Sequence, residues 1–578
     1  MTIALDPLRE AFLECKGHAL VLGGPGSGKT TIALKKAVQR TGAGLLAGQA
    51  VLFLSFSRAA VARIAEASKV ETSAQNRHLL TIQTFHSFFW EILRSYGYLL
   101  HAPKRLRILL PHDERALSGG AENGDDGWEA WSIERTRLFH EEGRIAFDLF
   151  APAVATLLER SKHLQRVIAY RFPLIILDEA QDTDPAAWKC ISLLSPLVQV
   201  VCLADLEQQI FDFLPGVGPE RIAEIEGMLA PLKIDLGGEN NRSPNTEIVK
   251  FANDVLHLRT RQAAYAGVSR RVYNPKDDPC KRIRSAVGIV QRRIRQATGK
   301  WGRSVAILLP YGVAAARTSA ALSSGPKPMR HKLLFDEAGA MLSARFAAFL
   351  LEPHQSGRAS TLATCLELLA AVKSASGSKT AATYLKWARS LNEGKQPKAK
   401  LVADLDDLLE RLLLSPPKGG PASDWIVIKT ALRSSPNHEL ARIAAHLDYL
   451  VAFNRGKRIA TNLTEMWQRD GQYTMARAAL EAALAEDQIL GNLDDPNGLQ
   501  VMTIHKSKAK QFDGVIVIRE GVAEGPRKWR SSFVWRDDPP PYHRSRKILR
   551  VAITRSKHHV LVLEPPYPAC PIMGEHQL

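Results

Sequence analysis

The sequence predicts an α/β protein built on parallel sheets, and three observations carry that prediction. Short apolar runs bounded by breakers alternate with helix-compatible stretches, first at Ala19 to Leu22, Val51 to Phe56, Leu174 to Leu177 and Val198 to Leu203. A second set follows at Val305 to Leu309, Gln500 to Ile504 and Val515 to Ile518. Mainly apolar runs of this length are the pattern of strands buried on both sheet faces. The first run leads directly into Gly23-Gly24-Pro25-Gly26-Ser27-Gly28-Lys29-Thr30, a phosphate-loop pattern, and then into a helix-compatible Thr31 to Gln39. The Leu174 run ends in Asp178-Glu179, placing two carboxylates where open α/β sheets bind their ligands.

The glycines let backbone N–H groups turn inward on a phosphate, and the N-terminus of the following helix adds a favourable dipole. Gly24, Gly26, Ser27, Gly28 and Thr31 are the expected phosphate cradle. Lys29 is expected on the β- and γ-phosphates, and Thr30 and Asp178 on one magnesium ion. Glu179 is then placed to polarise the attacking water. Either motif alone occurs in unrelated settings; both together, in order, predict use of ATP or GTP, with Mg2+ and ATP as the expected ligands.

With 578 residues the chain exceeds one core, and three to five domains are expected. Hydrophobic and charged contents of 45% and 24% are those of a globular protein. No apolar run reaches the roughly 20 residues needed to span a bilayer, and the first residues lack a basic-then-apolar layout. The expectation is a cytoplasmic protein with no membrane partner. Six scattered cysteines without a Cys-x-x-Cys pair indicate neither a zinc site nor a disulfide framework. The net charge of +18 points to a polyanionic partner. Basic residues concentrate at Arg270-Arg271, Lys281 to Arg295 and Arg527 to Arg550. Any single cluster reads more readily as a solvated helix face; the excess over the whole chain does not.

Along the chain, Arg58 to Lys69 reads as a short helix, and Thr81 to Thr84 leads into another with Phe89, Ile92, Leu93 and Tyr96 on one face. Residues 95–168 read as helical, broken by a surface loop from Ser118 to Gly127. Residues 354–495 read as an all-helical insert. One stripe holds Leu401, Leu405, Leu408 and Leu412, another Leu440, Ile443, Leu447 and Leu450. Leu342, Phe346, Phe349 and Leu350 keep the same period just before it.

Asp178-Glu179-Ala180-Gln181-Asp182-Thr183 resembles the second signature of UvrD/Rep-like superfamily 1A helicases. Further resemblances keep that family's order: Arg9-Glu10-Ala11 before the phosphate loop, Ser55 to Arg58 to motif Ia, and Thr84 to Ser87 to motif Ib. Asp205, Gln208, Ile210 and Phe211 resemble motif III, and Asn240 to Ser243 motif IV. Thr503 to Lys508 resembles motif V, and Arg546 to Lys557 motif VI.

The resemblance implies two RecA-like P-loop motor domains with parallel sheets, each with a mainly helical insertion. The first would comprise residues 1–94 and 169–255 with insert 95–168, the second residues 256–353 and 496–578 with insert 354–495. It implies that Gln208 senses the γ-phosphate and that Arg242 and Arg555 act as arginine fingers. Single-stranded or tailed duplex DNA would meet Phe56, Phe211 and Phe213 as stacking rings, and Thr84, His86, Thr503 and His505 as donors. Phe56 fits core packing about as well as stacking, and the histidines fit structural hydrogen bonding.

Several positions depart from the family. Leu8 replaces the adenine-reading glutamine, Asn241 an aromatic, and Leu214 an arginine, while Ala509 and Gln511 stand for glycine and glutamate. The leading reading is an ATP-dependent DNA translocase or helicase moving 3′ to 5′. Alternatives are a DNA-stimulated NTPase that regulates a separate nuclease partner, as in anti-phage systems such as Gabija, or a non-catalytic DNA-binding scaffold.

Overall fold

The computed structural model describes residues 6–119, 121, 125, 127–205, 220–237, 240–323, 328–334, 338–354, 357–374, 378, 380–449, 457–490, 497–508, 510–525, 528–535 and 538–573. Gln208, Phe211, Phe213, Leu214 and Ala509 lie outside them. Contacts divide the chain into two compact units, one of Met1–Phe89, Val154–Phe335 and Leu493–Leu578, the other of Trp90–Ala153 and Asp336–Asn492.

The first unit holds two six-stranded sheets. One uses β1 (Ala19–Leu22), β2 (Val51–Ser55), β3 (Leu80–Thr84), β4 (Leu174–Leu177), β5 (Gln199–Ala204) and β6 (Leu232–Asp235) in the order β3-β2-β4-β5-β1-β6. The other uses β7 (Val268–Val272), β8 (Ser304–Leu309), β9 (Lys332–Leu334), β10 (Gly498–Thr503), β11 (Phe512–Ile518) and β12 (Ser556–Glu564) in the order β9-β10-β8-β11-β12-β7. Every neighbouring pair in both is parallel. The apolar runs read from the sequence are the inner strands: β2 and β4 are buried at every position, as is β8.

Register sets the site. Leu54 pairs with Leu177, Leu177 with Cys202, and Leu22 with Ala204, so Gly23, Ser55, Asp178 and Asp205 leave the first sheet at one edge. The helix Lys29–Gly42 packs Ile32, Ala33, Leu34 and Ala37 into the core under that edge. Lys36 on the same helix is buried and donates to the carbonyls of Phe12, Leu13 and Cys15 at 2.9, 3.2 and 2.7 Å. Those carbonyls end the helix Pro7–Glu14, so the ammonium closes a helix terminus and ties it to the helix that follows the phosphate loop.

The helix Pro279–Thr298 covers the second sheet with Ile283, Ala286, Val287, Val290 and Ile294. Gly288 sits near its middle, where glycine costs about 0.8–1.0 kcal/mol relative to alanine. A Cβ there would meet nothing within 4 Å, so packing gives no reason for the residue.

In the second unit, Leu401, Leu405 and Leu408 on the helix Lys400–Leu413 and Leu440, Ile443 and Leu447 on His438–Tyr449 enter one core. The helix Ala338–Leu351 joins that core through Phe346, Ala347, Phe349 and Leu350, and it belongs by contacts to this unit. Its apolar residues are too many for one face, which draws helices around it. Among residues read as purely helical, Arg107–Leu109 and Ile145 with its neighbours form a two-stranded parallel sheet. Three residues on each strand are too few for a period to show.

Candidate nucleotide site and its surroundings

The phosphate loop turns through Gly26 at φ +87° and Gly28 at φ +96°. A side chain at Gly26 would be strained there and would also bring a Cβ to 2.9 Å from the Cβ of Arg242. Motif IV leans on this loop: the Asn241 N–H donates to Gly26 O at 2.9 Å, and the Gly24 N–H to Gly237 O at 3.3 Å. Gly28 stands as the helix N-cap without a side-chain cap bond, and the first turn carries no acidic residue, so the helix N-terminus keeps its positive field. The buried Ser27 Oγ has no hydrogen-bond partner among the described residues. Lys29 Nζ donates to Gly23 O at 2.6 Å and Gly24 O at 3.1 Å, and lies 3.8 Å from Asp205 Oδ2.

Asp178 and Glu179 follow β4. Asp178 is buried, its N–H bonds to Leu54 O at 2.8 Å, and Ser55 Oγ donates to its Oδ2 at 3.4 Å. Burial, and then the neighbouring Glu179, push its carboxyl above the usual range, against the pull of Arg63 and Lys29. Glu179 sits in the left-handed region at φ +58°, which turns its side chain sharply out of the strand direction. Burial works to raise its pKa, but Lys508, Lys29, a 2.6 Å bond from Gln181 Nε2 and Arg555 outweigh it and hold the carboxylate ionised below its ordinary value.

Gln181 is the hub of this region. Its Nε2 also reaches Asp182 Oδ2 at 3.3 Å, and its Oε1 accepts from the Asp205 N–H at 3.1 Å. Asp182 pairs with Lys508, and both side chains are buried. Lys508 lies between β10 and β11, so this ion pair ties the second sheet to the strand end that carries Glu179.

Arg242 and Arg555 converge on the same place from distant segments. Arg242 Nη1 donates to Thr554 O at 2.8 Å. Arg555 is buried, with Nε on Val551 O at 3.0 Å and Nη2 on Thr554 Oγ1 at 3.1 Å. With its amide oxygen turned toward the cations, Gln511 accepts from Arg242 Nε and Nη2 at 3.1 and 3.2 Å and from Arg63 Nη1 at 3.2 Å. Burial lowers both arginine pKa values: Arg242 falls well below its usual value, with repulsion from Arg555 and Arg63 adding to burial, and Arg555 falls to about 10, with Arg63 and Arg550 acting against the pull of Glu179. Lys29, Arg63, Arg242 and Arg555 therefore concentrate positive potential beside an orphaned hydroxyl and an open helix N-terminus. That donor set fits a polyphosphate.

Thr30 and Asp178 could hold a magnesium ion together with phosphate oxygens, an arrangement that needs no dedicated cage of protein ligands. Among the described residues, no three His, Cys, Asp or Glu side chains gather to form such a cage. Arg63, on the helix Arg58–Glu71, was not anticipated from the sequence; its bond to Gln511 and its pull on Asp178 reveal it. Arg550 was missed as well; it lies buried 4.0 Å from Asp205.

The residues expected to meet DNA are spread along the two sheets. Phe56 is half-buried, its ring centroid 4.8 Å from that of buried Phe85. Thr84 is buried, accepts from the Ser87 N–H at 3.1 Å and bonds the Ser87 hydroxyl at 2.8 Å, while His86 beside it is exposed. Thr503 Oγ1 accepts from the Lys506 N–H at 3.4 Å. His505 meets Trp535 edge-on at 5.4 Å, and burial, then Arg544 and Lys508, lower its pKa.

A central strand running through a glycine loop into a helix, with an Asp-Glu pair on a strand of the same sheet, defines a P-loop protein of the α/β class. Comparison with known proteins narrows this. The UvrD/REP helicase N-terminal domain family matches residues 6–129 and 121–228. YjcD of Bacillus subtilis, a candidate ATP-dependent DNA helicase by name, is 25% identical over 298 residues, which is 44% of this chain and 39% of YjcD. DNA helicase II of Haemophilus influenzae is 23% identical over 293 residues, 43% of this chain and 40% of that protein. The matches thus span about two-fifths of these relatives' length. A solved structure concerned with Pif1 helicases on forked duplex DNA is 13% identical, covering 56% of this chain and 59% of its own, with a TM-score of 0.25, too distant to carry an argument. Over residues 6–228 the chain is therefore similar to the N-terminal domain of UvrD/REP helicases. No described helix is long and apolar enough to cross a membrane.

Proposed function

We propose that the chain hydrolyses ATP to move 3′ to 5′ along single-stranded DNA and to open duplex ahead of it. The observation that supports this best is the electrostatic setting of Glu179, held ionised by Lys29, Lys508 and Arg555, which come from three remote segments. A base kept charged beside a phosphate loop suits activation of water. Arg242 and Arg555 are the groups to neutralise charge on the transferred phosphoryl, a task that preorganised cations perform better than water. Gln208 would sense the γ-phosphate. Thr30 and Asp178 would hold Mg2+, which supplies charge neutralisation at the phosphates. Phe56, Phe211 and Phe213 would stack bases, with Thr84, His86, Thr503 and His505 near the backbone. The names of the relatives and the net charge of +18 favour DNA as the track.

The test is ATPase activity with and without single-stranded DNA, measured with unwinding of 3′-tailed, 5′-tailed and blunt duplexes, for the wild type and Glu179→Gln. DNA-stimulated hydrolysis, unwinding of the 3′-tailed duplex alone and loss of both in Glu179→Gln support the reading. Stimulated hydrolysis without unwinding would favour the nuclease-regulating alternative. Near wild-type turnover in Glu179→Gln overturns the mechanism.

A further inference from the structure

The helix Pro279–Thr298 and the loop after it carry eight Lys and Arg and no Asp or Glu between Pro279 and Arg303. Helical spacing puts Lys281, Arg284, Gly288, Arg292 and Arg295 on one line, at i, i+3, i+7, i+11 and i+14, on the side opposite the apolar residues buried on the second sheet. Among the described residues none of the four cations has an ion-pair partner. The nearest acidic residue in sequence, Asp278, is occupied as the N-cap, accepting from the Lys281 N–H at 2.7 Å. Beyond the stripe Trp301 is 55% exposed, and the Arg295 guanidinium lies 4.8 Å over its ring, which holds that side chain outward.

Local physics opposes this arrangement three times. Like charges three residues apart repel, a cation in the first turn faces the positive end of the helix dipole, and Gly288 weakens a helix whose packing leaves room for a side chain. A line of residues kept against local stability points to a ligand.

We propose that this stripe binds the phosphate backbones of double-stranded DNA, as a contact separate from the path of the single strand. The Lys281–Arg284 and Arg292–Arg295 pairs are centred eleven residues apart, about 16 Å along the axis, and their inner members are eight residues or about 12 Å apart. That spacing compares with a B-DNA major groove about 12 Å wide, so each pair can reach one rim. Gly288, midway between them, lets the helix backbone approach the groove closely. A duplex presents such rows at fixed separation, whereas a flexible single strand does not, and the stripe offers no uncovered ring for stacking. An anionic membrane fits less well because the apolar face that would insert is already buried on the sheet. This inference rests on DNA being the motor's track.

The experiment measures blunt-duplex affinity at several salt concentrations for the wild type, Arg292→Gln/Arg295→Gln and Gly288→Leu, with single-strand-stimulated ATPase read in parallel. Each cation lost should lower duplex affinity on the order of tenfold at 0.1 M salt, and the double variant should flatten the log–log salt slope by about 2. Gly288→Leu should weaken duplex binding with the slope kept, since it blocks approach and removes no charge. Stimulated ATPase should stay at the wild-type level in both. Wild-type duplex affinity and slope in Arg292→Gln/Arg295→Gln overturn the proposal. So does a loss confined to vesicles of phosphatidylserine and phosphatidylcholine. Absence of DNA stimulation in the wild type would instead strike the proposed function.

Discussion

Replacing Lys508 with Met removes one half of an ion pair whose other half, Asp182, is only 1% exposed. Leaving a buried charge without its partner costs about 3–5 kcal/mol. An independent bound comes from protonation, because Asp182 can escape the penalty by becoming neutral. Burial, against the pull of Lys508, already raises the Asp182 carboxyl to about 6, so neutralising it costs about 1.4 kcal/mol at pH 7 and nothing further at pH 5, at 1.36 kcal/mol per unit. Protonation is the cheaper route, so opening of this region should become easier by about 1–2 kcal/mol at pH 7 and by much less at pH 5. Hydrogen exchange of the Asp182, Thr183 and Lys508 amides, which bond to Glu179 O, Ala180 O and His505 O, reads that opening directly. Protection should fall by a factor on the order of 10 at pH 7, and Asp182→Asn/Lys508→Met should recover most of it. Unchanged protection in Lys508→Met, or a double variant no better than the single, would refute the claim that this pair ties the second sheet to the strand end carrying Glu179.

Lys29→Ala should weaken ATP binding, seen by titration with a fluorescent analogue, because the β/γ-phosphate charge loses its partner. Gly26→Ala should lower nucleotide affinity and destabilise the loop by about 1–2 kcal/mol in thermal unfolding, since φ +87° and the 2.9 Å approach to Arg242 both oppose a Cβ. Leu8 is 53% exposed where the resemblance expects an adenine-reading glutamine, so ATP and GTP should compete within a few-fold in hydrolysis; strong ATP preference would place base recognition elsewhere. Burial, then Arg293, lowers the His559 pKa to about 4, while its ring bonds Ser269 Oγ at 2.8 Å. The unfolded chain therefore binds more protons between pH 6.5 and 4, and this contribution, on the order of 3 kcal/mol, is present above 6.5 and lost as pH falls. The urea-midpoint difference between wild type and His559→Asn should shrink across that window and stay flat above it.

What the sequence made legible was whatever its neighbours along the chain determine. β1, β2, β4 and β8 are central strands buried on both faces, so each reads as an unbroken apolar run, and the phosphate loop and Asp178-Glu179 follow such runs directly. The edge strands did not read that way. β6 is Leu-Lys-Ile-Asp with one buried position, and β7 is Val-Ser-Arg-Arg-Val, whose arginines register as charge rather than as strand. An edge strand has one open side, and polar residues there discourage pairing with another chain, so its composition hides it. β3 reads as the approach to a helix for a related reason: Leu-Thr-Ile-Gln-Thr lies at the opposite edge and only its last residue is buried.

The site divides along the same line. Lys29, Asp178 and Glu179 are fixed by short segments, whereas the state of Glu179 depends on Lys508, 329 positions away in sequence, and that of Arg242 on Arg555 and Arg63. No local pattern encodes which cations meet which carboxylates; sheet order and register do. The departures at Gln511 and Asn241 illustrate this. As isolated substitutions they read as lost contacts, yet Gln511 can accept from both Arg242 and Arg63, and Asn241 bonds the phosphate loop through its backbone N–H. A glutamate at 511 would add a full negative charge between those two guanidiniums and compete with phosphate for them. The neutral amide orients the same cations while leaving their charge available, which makes Gln511 a positioning group suited to an arginine cluster that must turn toward a polyphosphate.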